Sequence, residues 1–155
     1  VNTLAMQIPA EVIANDYGIE PPSSLLMVLE KDRDSFFLDN SLPDNKKSFL
    51  AEYNAGDHIY NFSSLREYLL ELLNKYPDPT QIPAEEYTFC LTPVSLTTEQ
   101  NSNGYQNSVY VSAVTPYIGK PAMVRLNLAH AKITFQFSKE TLKESRFRHP
   151  EPKRQ

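Results

Sequence analysis

The chain has 155 residues, of which 41% are apolar and 22% are charged, and its formal net charge at pH 7 is −4. A chain of this length forms one domain, or one domain with a tail, and buries enough surface to fold without a metal or a disulfide. Its single cysteine, Cys90, excludes an internal disulfide and a zinc site built on several thiolates. No apolar run approaches the roughly 20 residues that a membrane-spanning helix needs.

The charge is unevenly distributed along the chain. Residues 143–155 carry five Lys or Arg against two Glu, a net of +3, which leaves −7 on the rest. A body that acidic argues against a nucleic-acid groove, because such a groove needs clustered Lys and Arg. The basic end contains proline and lacks periodic apolar residues. We therefore predict that residues 1–138 form the domain and that residues 139–155 form a flexible tail.

Most of the chain has the pattern of short β-strands. Alternating or short apolar runs predict strands at residues 4–8, 24–29, 36–38, 49–54, 58–62, 87–92, 108–114, 122–128 and 133–137. The first strand is predicted to end at Pro9, and residues 54–57 are predicted to form the hairpin turn between two of the others. Residues 24–29 are apolar on both faces, which is typical of a strand central to the fold.

One segment predicts a helix. Ser64 and Glu67 have the spacing of a capping box, and Pro77 cannot continue the helical hydrogen bonds. The positions between them repeat at helical spacing as a single apolar stripe of Leu65, Tyr68, Leu69, Leu72, Leu73 and Tyr76. We predict one short amphipathic helix that packs on the sheet.

Two features interrupt the strands in the second half of the chain. From Pro93 to residue 107 the chain is rich in Thr, Gln, Asn, Ser and Gly, which predicts a long surface loop. At Ala129 and His130 the apolar alternation changes from even to odd positions, so we predict a bulge or tight bend that restores one core face. Many short strands and one helix predict a mainly β fold, an antiparallel β-sandwich of jelly-roll-like type.

Several segments, taken together, resemble a known family. They are residues 21–29 (PPSSLLMVL), 60–69 (YNFSSLREYL), 87–93 (YTFCLTP), 124–128 (VRLNL) and 131–137 (AKITFQF). Their order resembles the C-terminal domain of a family of uncharacterised bacterial cell-envelope lipoproteins, a domain of unknown function. In that family a Pro-Pro-x-x-Leu-Leu strand precedes a Tyr-x-Phe strand, a short helix, a Leu-x-Pro strand and a final strand.

The resemblance implies an exported protein that is periplasmic or at the outer membrane or cell surface. A lipid anchor on a cysteine outside this chain would then be its contact with the membrane. The resemblance supplies no catalytic residue. The chain opens at Val1 in strand-like alternation and without an initiator Met, so we expect it to be a piece of a longer precursor.

Amides and tyrosines occur together in and after the polar segment. Amides can pair with sugar hydroxyls, and tyrosine rings can stack on sugar faces. The chain has no Trp, however, and tyrosines are also common in cross-strand packing, so both interpretations stay open. The candidate ligand-binding residues are Asn103, Tyr105, Gln106, Asn107, Tyr110 and Tyr117, with Asn101 beside them.

Acidic residues in the segment 30–45 are candidate calcium ligands. Asp32, Asp34, Asp39 and Asp44 offer hard oxygen atoms at short spacing, although the EF-hand pattern is missing and a solvated loop has the same composition. The histidines, which are His58, His130 and His149, lack the spacing of a helical zinc pair. Cys90 is predicted to be a buried small residue within a strand.

We predict a non-enzymatic binding or assembly module of an envelope lipoprotein, with a protein partner or a glycan and with calcium as the one candidate cofactor. The alternative is a carbohydrate-binding module on the cell surface. A hydrolase that uses acidic residues ranks last, because no spacing fixes a carboxylate pair. An exposed coplanar tyrosine pair would favour carbohydrate binding, whereas an exposed apolar patch would favour a protein interaction.

Overall fold

The computed structural model describes residues 2–103 and 106–137, without the side chains of residues 102, 103, 106 and 107. Its strands are β1 (Thr3–Val12), β2 (Ser24–Leu29), β3 (Ser48–Asn54), β4 (Ile59–Phe62), β5 (Phe89–Asn103), β6 (Gln106–Pro116), β7 (Val124–Leu126) and β8 (Lys132–Gln136). Its α-helices are α1 (Arg33–Leu38) and α2 (Arg66–Lys75), and single 3-10 turns occur at Glu30–Asp32, Pro79–Gln81, Ala84–Glu86 and Leu128–His130. The tail predicted at residues 139–155 lies outside the described residues. None of the described helices has the length and apolarity that crossing a membrane requires.

The strands of the described chain pair antiparallel in one curled sheet. Their order is β6-β5-β2-β3-β4-β1-β7, and β8 pairs with β1 beside β7. The edge of β1 that faces away from β4 has two partners, because residues 3–7 pair with β8 and residues 10–12 pair with β7. The predicted mainly antiparallel β class is confirmed. The jelly-roll-like sandwich stays a prediction.

Two prolines within strands lie where a strand changes its partner. Pro9 lies in β1 between the residues paired with β8 and those paired with β7. Pro93 is the last residue of β5 paired with β2, and Val94 begins the pairing with β6. Because proline has no N–H to donate, it disturbs a sheet least where the ladder is already interrupted. The predicted end of the first strand at Pro9 is therefore wrong, since β1 continues to Val12.

A long hairpin of β5 and β6 replaces the surface loop predicted from residue 93 to 107. The two strands pair from Val94 opposite Pro116 to Asn103 opposite Gln106, with one register shift. We call residues 94–116 the β5–β6 arm. In the described structure its strands pair only with each other, and the side chains at residues 97–101 and 108–110 are exposed. Such a ribbon needs no apolar alternation, which explains why its polar composition resembles that of a loop.

The strand predicted at residues 36–38 is also wrong, because this segment forms the end of α1. Phe36 is buried against the sheet, whereas Leu38 is 80% exposed. The cluster under α1 lies on one face of the sheet and consists of Leu26, Val28, Phe36, Val94 and Val114. A short helix turns only one side of its apolar run toward the sheet, so Phe36 is buried while Leu38 is exposed.

The main core lies inside the curl of the sheet. Leu4 and Ile8 of β1 belong to the same buried cluster as Leu25 and Met27 of β2, although three ladder steps separate these strands. In a flat sheet the two strands would lie about 14 Å apart. Tyr60 is fully buried in this core, because its hydroxyl donates a hydrogen bond of 2.5 Å to the carbonyl of Pro22.

Helix α2 confirms the predicted helix but not the predicted cap. The helix begins at Arg66, and no side chain caps its first turn. The entry is fixed instead by Leu65, which is buried and whose N–H donates to the carbonyl of Leu4 at 3.1 Å. The helix ends before Pro77, and Leu72 is its one fully buried residue.

The bend predicted at Ala129 and His130 is confirmed by the 3-10 turn between β7 and β8. Leu126 lies opposite Ala10 of β1, and Phe135 lies opposite Leu4. Because both partners are even positions of β1, the turn restores a common core face for the even residues of β7 and the odd residues of β8.

Replacing Phe62 with Ala tests the core. Phe62 has no exposed surface, so the lost burial and the cavity left behind should lower the free energy of unfolding by about 3–5 kcal/mol. Leu38→Ala, at an 80% exposed position, should change it by less than about 0.5 kcal/mol. Urea unfolding followed by circular dichroism measures both. Equal effects of the two substitutions would contradict the core assignment.

Candidate functional site

The residues predicted to bind a sugar lie on or near the β5–β6 arm. Tyr105 falls outside the described residues, and the side chains of Asn103, Gln106 and Asn107 are outside the description as well. The backbone of Asn103, Gln106 and Asn107 lies in the two strands at the end of the arm.

The two described tyrosines of this set do not form a platform. The hydroxyl of Tyr110 donates to Oε2 of Glu99 at 2.9 Å, and this hydrogen bond raises the pKa of Tyr110. The backbone of Tyr117 donates to the carbonyl of Pro93 where β6 ends. Among the described rings, neither tyrosine stacks on another aromatic side chain.

The acidic segment has a structural organisation that the sequence did not reveal. Oδ1 of Asp44 accepts hydrogen bonds from the N–H groups of Lys46, Lys47 and Ser48 and from the hydroxyl of Ser48, at 2.9–3.0 Å. Burial alone would raise the pKa of Asp44, but these hydrogen bonds outweigh it and lower the pKa. This carboxylate therefore holds the turn that leads into β3.

The other acidic candidates are dispersed around the same segment. Asp32 and Asp39 line a cavity of about 210 Å³ with Asp44, whereas Asp34 pairs with Arg33 at 2.9 Å. Within the described ranges, no three His, Cys, Asp or Glu side chains are grouped so that they could hold a metal ion. Calcium binding by this segment stays a prediction.

The described histidines and the cysteine have local partners. Nδ1 of His58 lies 2.8 Å from the hydroxyl of Tyr53, and Nδ1 of His130 lies 2.9 Å from Oδ1 of Asn127. Cys90 is half-buried in β5 opposite Val28. His149 lies outside the described residues.

The feature that the sequence did not predict is an apolar cavity of about 260 Å³ beside α2. The surface that it presents is entirely apolar. It is lined by Leu4, Met6, Met27, Leu65, Tyr68, Leu69, Phe89, Ile133 and Phe135. An apolar cavity is a common site for ligands and for the side chains of partners.

The curl of the sheet creates this cavity. Phe89 comes from β5 and Ile133 from β8, and five ladder steps separate these strands in the sheet. In a flat sheet they would lie about 24 Å apart. Because both line one small cavity, the sheet must bend until β5 and β8 approach each other across α2. The side chains between β5, β8 and α2 do not fill the space that the bend encloses, and this unfilled space is the cavity.

An apolar stripe on β8 extends the cavity to the surface. Ile133, Phe135 and Phe137 are 58%, 48% and 71% exposed, and the rings of Phe135 and Phe137 stack with centroids 6.1 Å apart. No strand of the described chain pairs with the outer edge of β8. We call the cavity together with this stripe the apolar groove. The alternation of residues 133–137 did predict a strand, but nothing in it indicated that its apolar face is uncovered.

Polar contacts fix the helical wall of the apolar groove. The hydroxyl of Tyr68 donates to the carbonyl of Glu86, and the carboxylate of Glu86 pairs with Lys75 at 2.9 Å and with Lys31 at 3.1 Å. Burial of the hydroxyl raises the pKa of Tyr68 to about 12, and the charge of Glu86 adds to the rise. The Tyr68 ring also packs edge-on against Phe89. These contacts fix the position of the Tyr68 ring in the wall of the groove.

No protein-family model, no curated protein and no solved structure matches the chain. The resemblance to envelope lipoproteins therefore stays a prediction that rests on the sequence segments alone. Any function has to be argued from the apolar groove and the other sites of the structure.

The role of Asp44 has a consequence for acid stability. A carboxyl whose pKa is lowered in the folded chain contributes stability that is present above its ordinary pKa of 3.8 and is lost as the pH falls through the folded value. Asp44→Asn should lower the free energy of unfolding at pH 7 by about 1 kcal/mol, allowing for solvent screening. The difference from the native chain should shrink below about pH 4.

Urea unfolding between pH 2.5 and pH 7 (roughly the range over which a carboxyl titrates) measures this difference. Asp34→Asn is the matched control, because Asp34 is exposed and pairs only with the neighbouring Arg33. A stability difference for Asp44→Asn that does not change with pH would contradict the role given to its charge.

Proposed function

We propose that this chain is a non-enzymatic binding module of a bacterial envelope lipoprotein, and that it binds an extended segment of a protein partner in the apolar groove. The single observation that carries the proposal is an apolar cavity that opens beside a strand edge with no partner strand in the described part of the chain. The envelope setting and the lipid anchor are supported by the sequence resemblance alone.

The exposed stripe supports binding because its burial would be favourable. Fully burying a Phe or Ile side chain stabilises by about 1.5–3 kcal/mol. Phe135 and Phe137 are 48% and 71% exposed, and aromatic residues beside a pocket are typical anchors of interfaces. Contiguous exposed apolar residues of this kind mark interaction sites in soluble proteins.

The strand edge favours a protein partner over a free apolar molecule. An extended peptide can add to an open edge through main-chain hydrogen bonds, while alternate side chains enter neighbouring pockets. At β8 both parts of this mode occur together, since the outer edge lacks a partner strand within the described residues and Ile133 and Phe135 line the cavity. A partner segment with a large apolar residue at one position fits this arrangement.

We also infer that the curled sheet is a jelly-roll-like sandwich. The support is that β5 and β8, at distant positions of the sheet, line one cavity. A sheet bent to this degree has two facing halves with a shared apolar interior.

A carbohydrate-binding module is the second candidate. Its support is the arm, where Tyr110 is 48% exposed and has Glu99 beside it as a hydrogen-bond acceptor. The described tyrosines offer no coplanar pair, so the apolar groove is the stronger basis for a function.

Site-specific photo-cross-linking tests the protein partner. A photoreactive phenylalanine at position 135 should capture a defined protein from a bacterial envelope extract, because that side chain lines the groove. The same group at position 134 is the matched control, since Thr134 is equally part of β8 but alternates to the other face. The captured protein is then purified and titrated against the native chain and against Phe135→Gln.

We expect Phe135→Gln to weaken binding at least about tenfold, as loss of an aromatic anchor does, and Thr134→Gln to change it little. Melting temperatures of both variants establish that they are folded. Equal capture at positions 134 and 135, or equal affinity of the two variants, would contradict the proposal. If a glycan stabilised the native chain and this stabilisation required Tyr110, carbohydrate binding at the β5–β6 arm would be the favoured function.

A further inference from the structure

A polar cavity of about 670 Å³ lies where β2 begins and β3 ends. It shares no residue with the apolar groove. Its polar lining comes from Glu20, Ser23, Ser24, Glu52, Tyr53 and His58. We call it the acidic cavity.

The hydroxyl of Ser24 is an unpaired group at the base of the acidic cavity. Ser24 is only 3% exposed, and no described residue forms a hydrogen bond with its side chain. In the described chain no fully enclosed polar side-chain atom lacks a partner. The hydroxyl must therefore open onto the cavity that Ser24 lines. Ser48, the other buried polar residue described, is hydrogen-bonded to Asp44, as buried hydroxyls usually are.

The charged groups around this hydroxyl are negative. Glu52 lies directly opposite Ser24 in the β2–β3 ladder, and Glu20 is on the segment that leads into β2. Neither carboxylate has an ion pair or a hydrogen bond with another described side chain. No Lys or Arg lines the cavity, so its potential favours a cation.

His58 lies in the remaining wall and takes part in two hydrogen bonds. Nδ1 of His58 lies 2.8 Å from the hydroxyl of Tyr53, and the carbonyl of His58 accepts a hydrogen bond from the N–H of Ala10 at 2.8 Å. These contacts hold His58 at a φ of 52°, a left-handed conformation that is unusual for a residue other than glycine. A fixed wall lowers the entropy lost when a ligand binds.

We propose that the acidic cavity binds a primary ammonium group, from a small amine or from a lysine side chain of another protein. An ammonium carries three donors and no acceptor. The Ser24 hydroxyl can accept one hydrogen bond and the Glu52 carboxylate a second, charge-assisted one. Glu20 adds a second negative charge at the site. A metal ion fits less well, because three ligating side chains do not come together in the described chain and calcium takes six to eight oxygen atoms.

The test is a nuclear magnetic resonance titration of the whole chain at pH 7. The probes are butylamine and Nα-acetyl-lysine methylamide, and their matched neutral controls are butanol and the Nε-acetylated lysine derivative. We expect both amines to shift the amide signals of residues 24, 52 and 58 with dissociation constants of about 1 mM or tighter. The neutral controls should leave these signals unchanged, and added salt should weaken the binding.

Two variants assign the ligands. Glu52→Gln should weaken amine binding at least about tenfold, because it removes a charged acceptor, and Ser24→Ala should weaken it several-fold. Glu85→Gln, the matched control, makes the same charge change at an exposed residue outside the cavity and should change binding little. Melting curves show whether Ser24→Ala folds. Glu52→Gln changes an exposed position, so it tests amine binding at the cavity even if Ser24→Ala does not fold.

Tighter binding of the lysine derivative than of butylamine would identify a protein lysine as the ligand, and the reverse order would identify a free amine. Either order supports the proposal. Equal shifts with the neutral controls, equal effects of Glu52→Gln and Glu85→Gln, or shifts with calcium but not with amines would overturn it.

Discussion

The fold depends on the pairing of β1 with three other strands. One edge of this ten-residue strand pairs with β4, and the other edge pairs first with β8 and then with β7. Its even residues from Leu4 to Ala10 supply the inner face of the core. Because β1 also accepts the backbone of Leu65, it positions α2 as well. The curl of the sheet, the place of the helix and the apolar groove all follow from this one strand.

The two cavities differ in the chemistry that surrounds them and share no lining residue, so they are two separate candidate binding surfaces. The apolar groove forms because α2 and the core residues do not fill the space between β5 and β8. The acidic cavity forms where β2 enters the sheet, and the buried Ser24 and the exposed carboxylates of Glu20 and Glu52 line it. An apolar segment suits the first surface and a cation suits the second.

Sequence patterns correctly predicted the structural elements that depend on residues close together in the chain. The alternation of Leu4, Met6 and Ile8, the helix α2 and the bend near His130 were all correct, because each reflects the periodicity of one element. Of the stripe predicted on α2, Leu73 is 40% exposed. The prediction failed at Pro9 because β1 pairs there with a strand distant in sequence, and at Phe36 because packing on distant residues favours a helix. It failed along the β5–β6 arm because an exposed hairpin needs no apolar alternation. The apolar groove was not predictable, since whether Phe135 is covered depends on what the curled sheet brings next to it.

Amide hydrogen exchange of β8, with and without the captured protein partner, tests the central claim most directly. In the free chain the outward-facing amides of this edge strand have no strand partner within the described residues, so they should exchange rapidly. A partner segment that adds to the edge should protect these amides and leave the β5–β6 arm unchanged. Protection of the arm with no change in β8 would contradict the account and place the binding surface elsewhere.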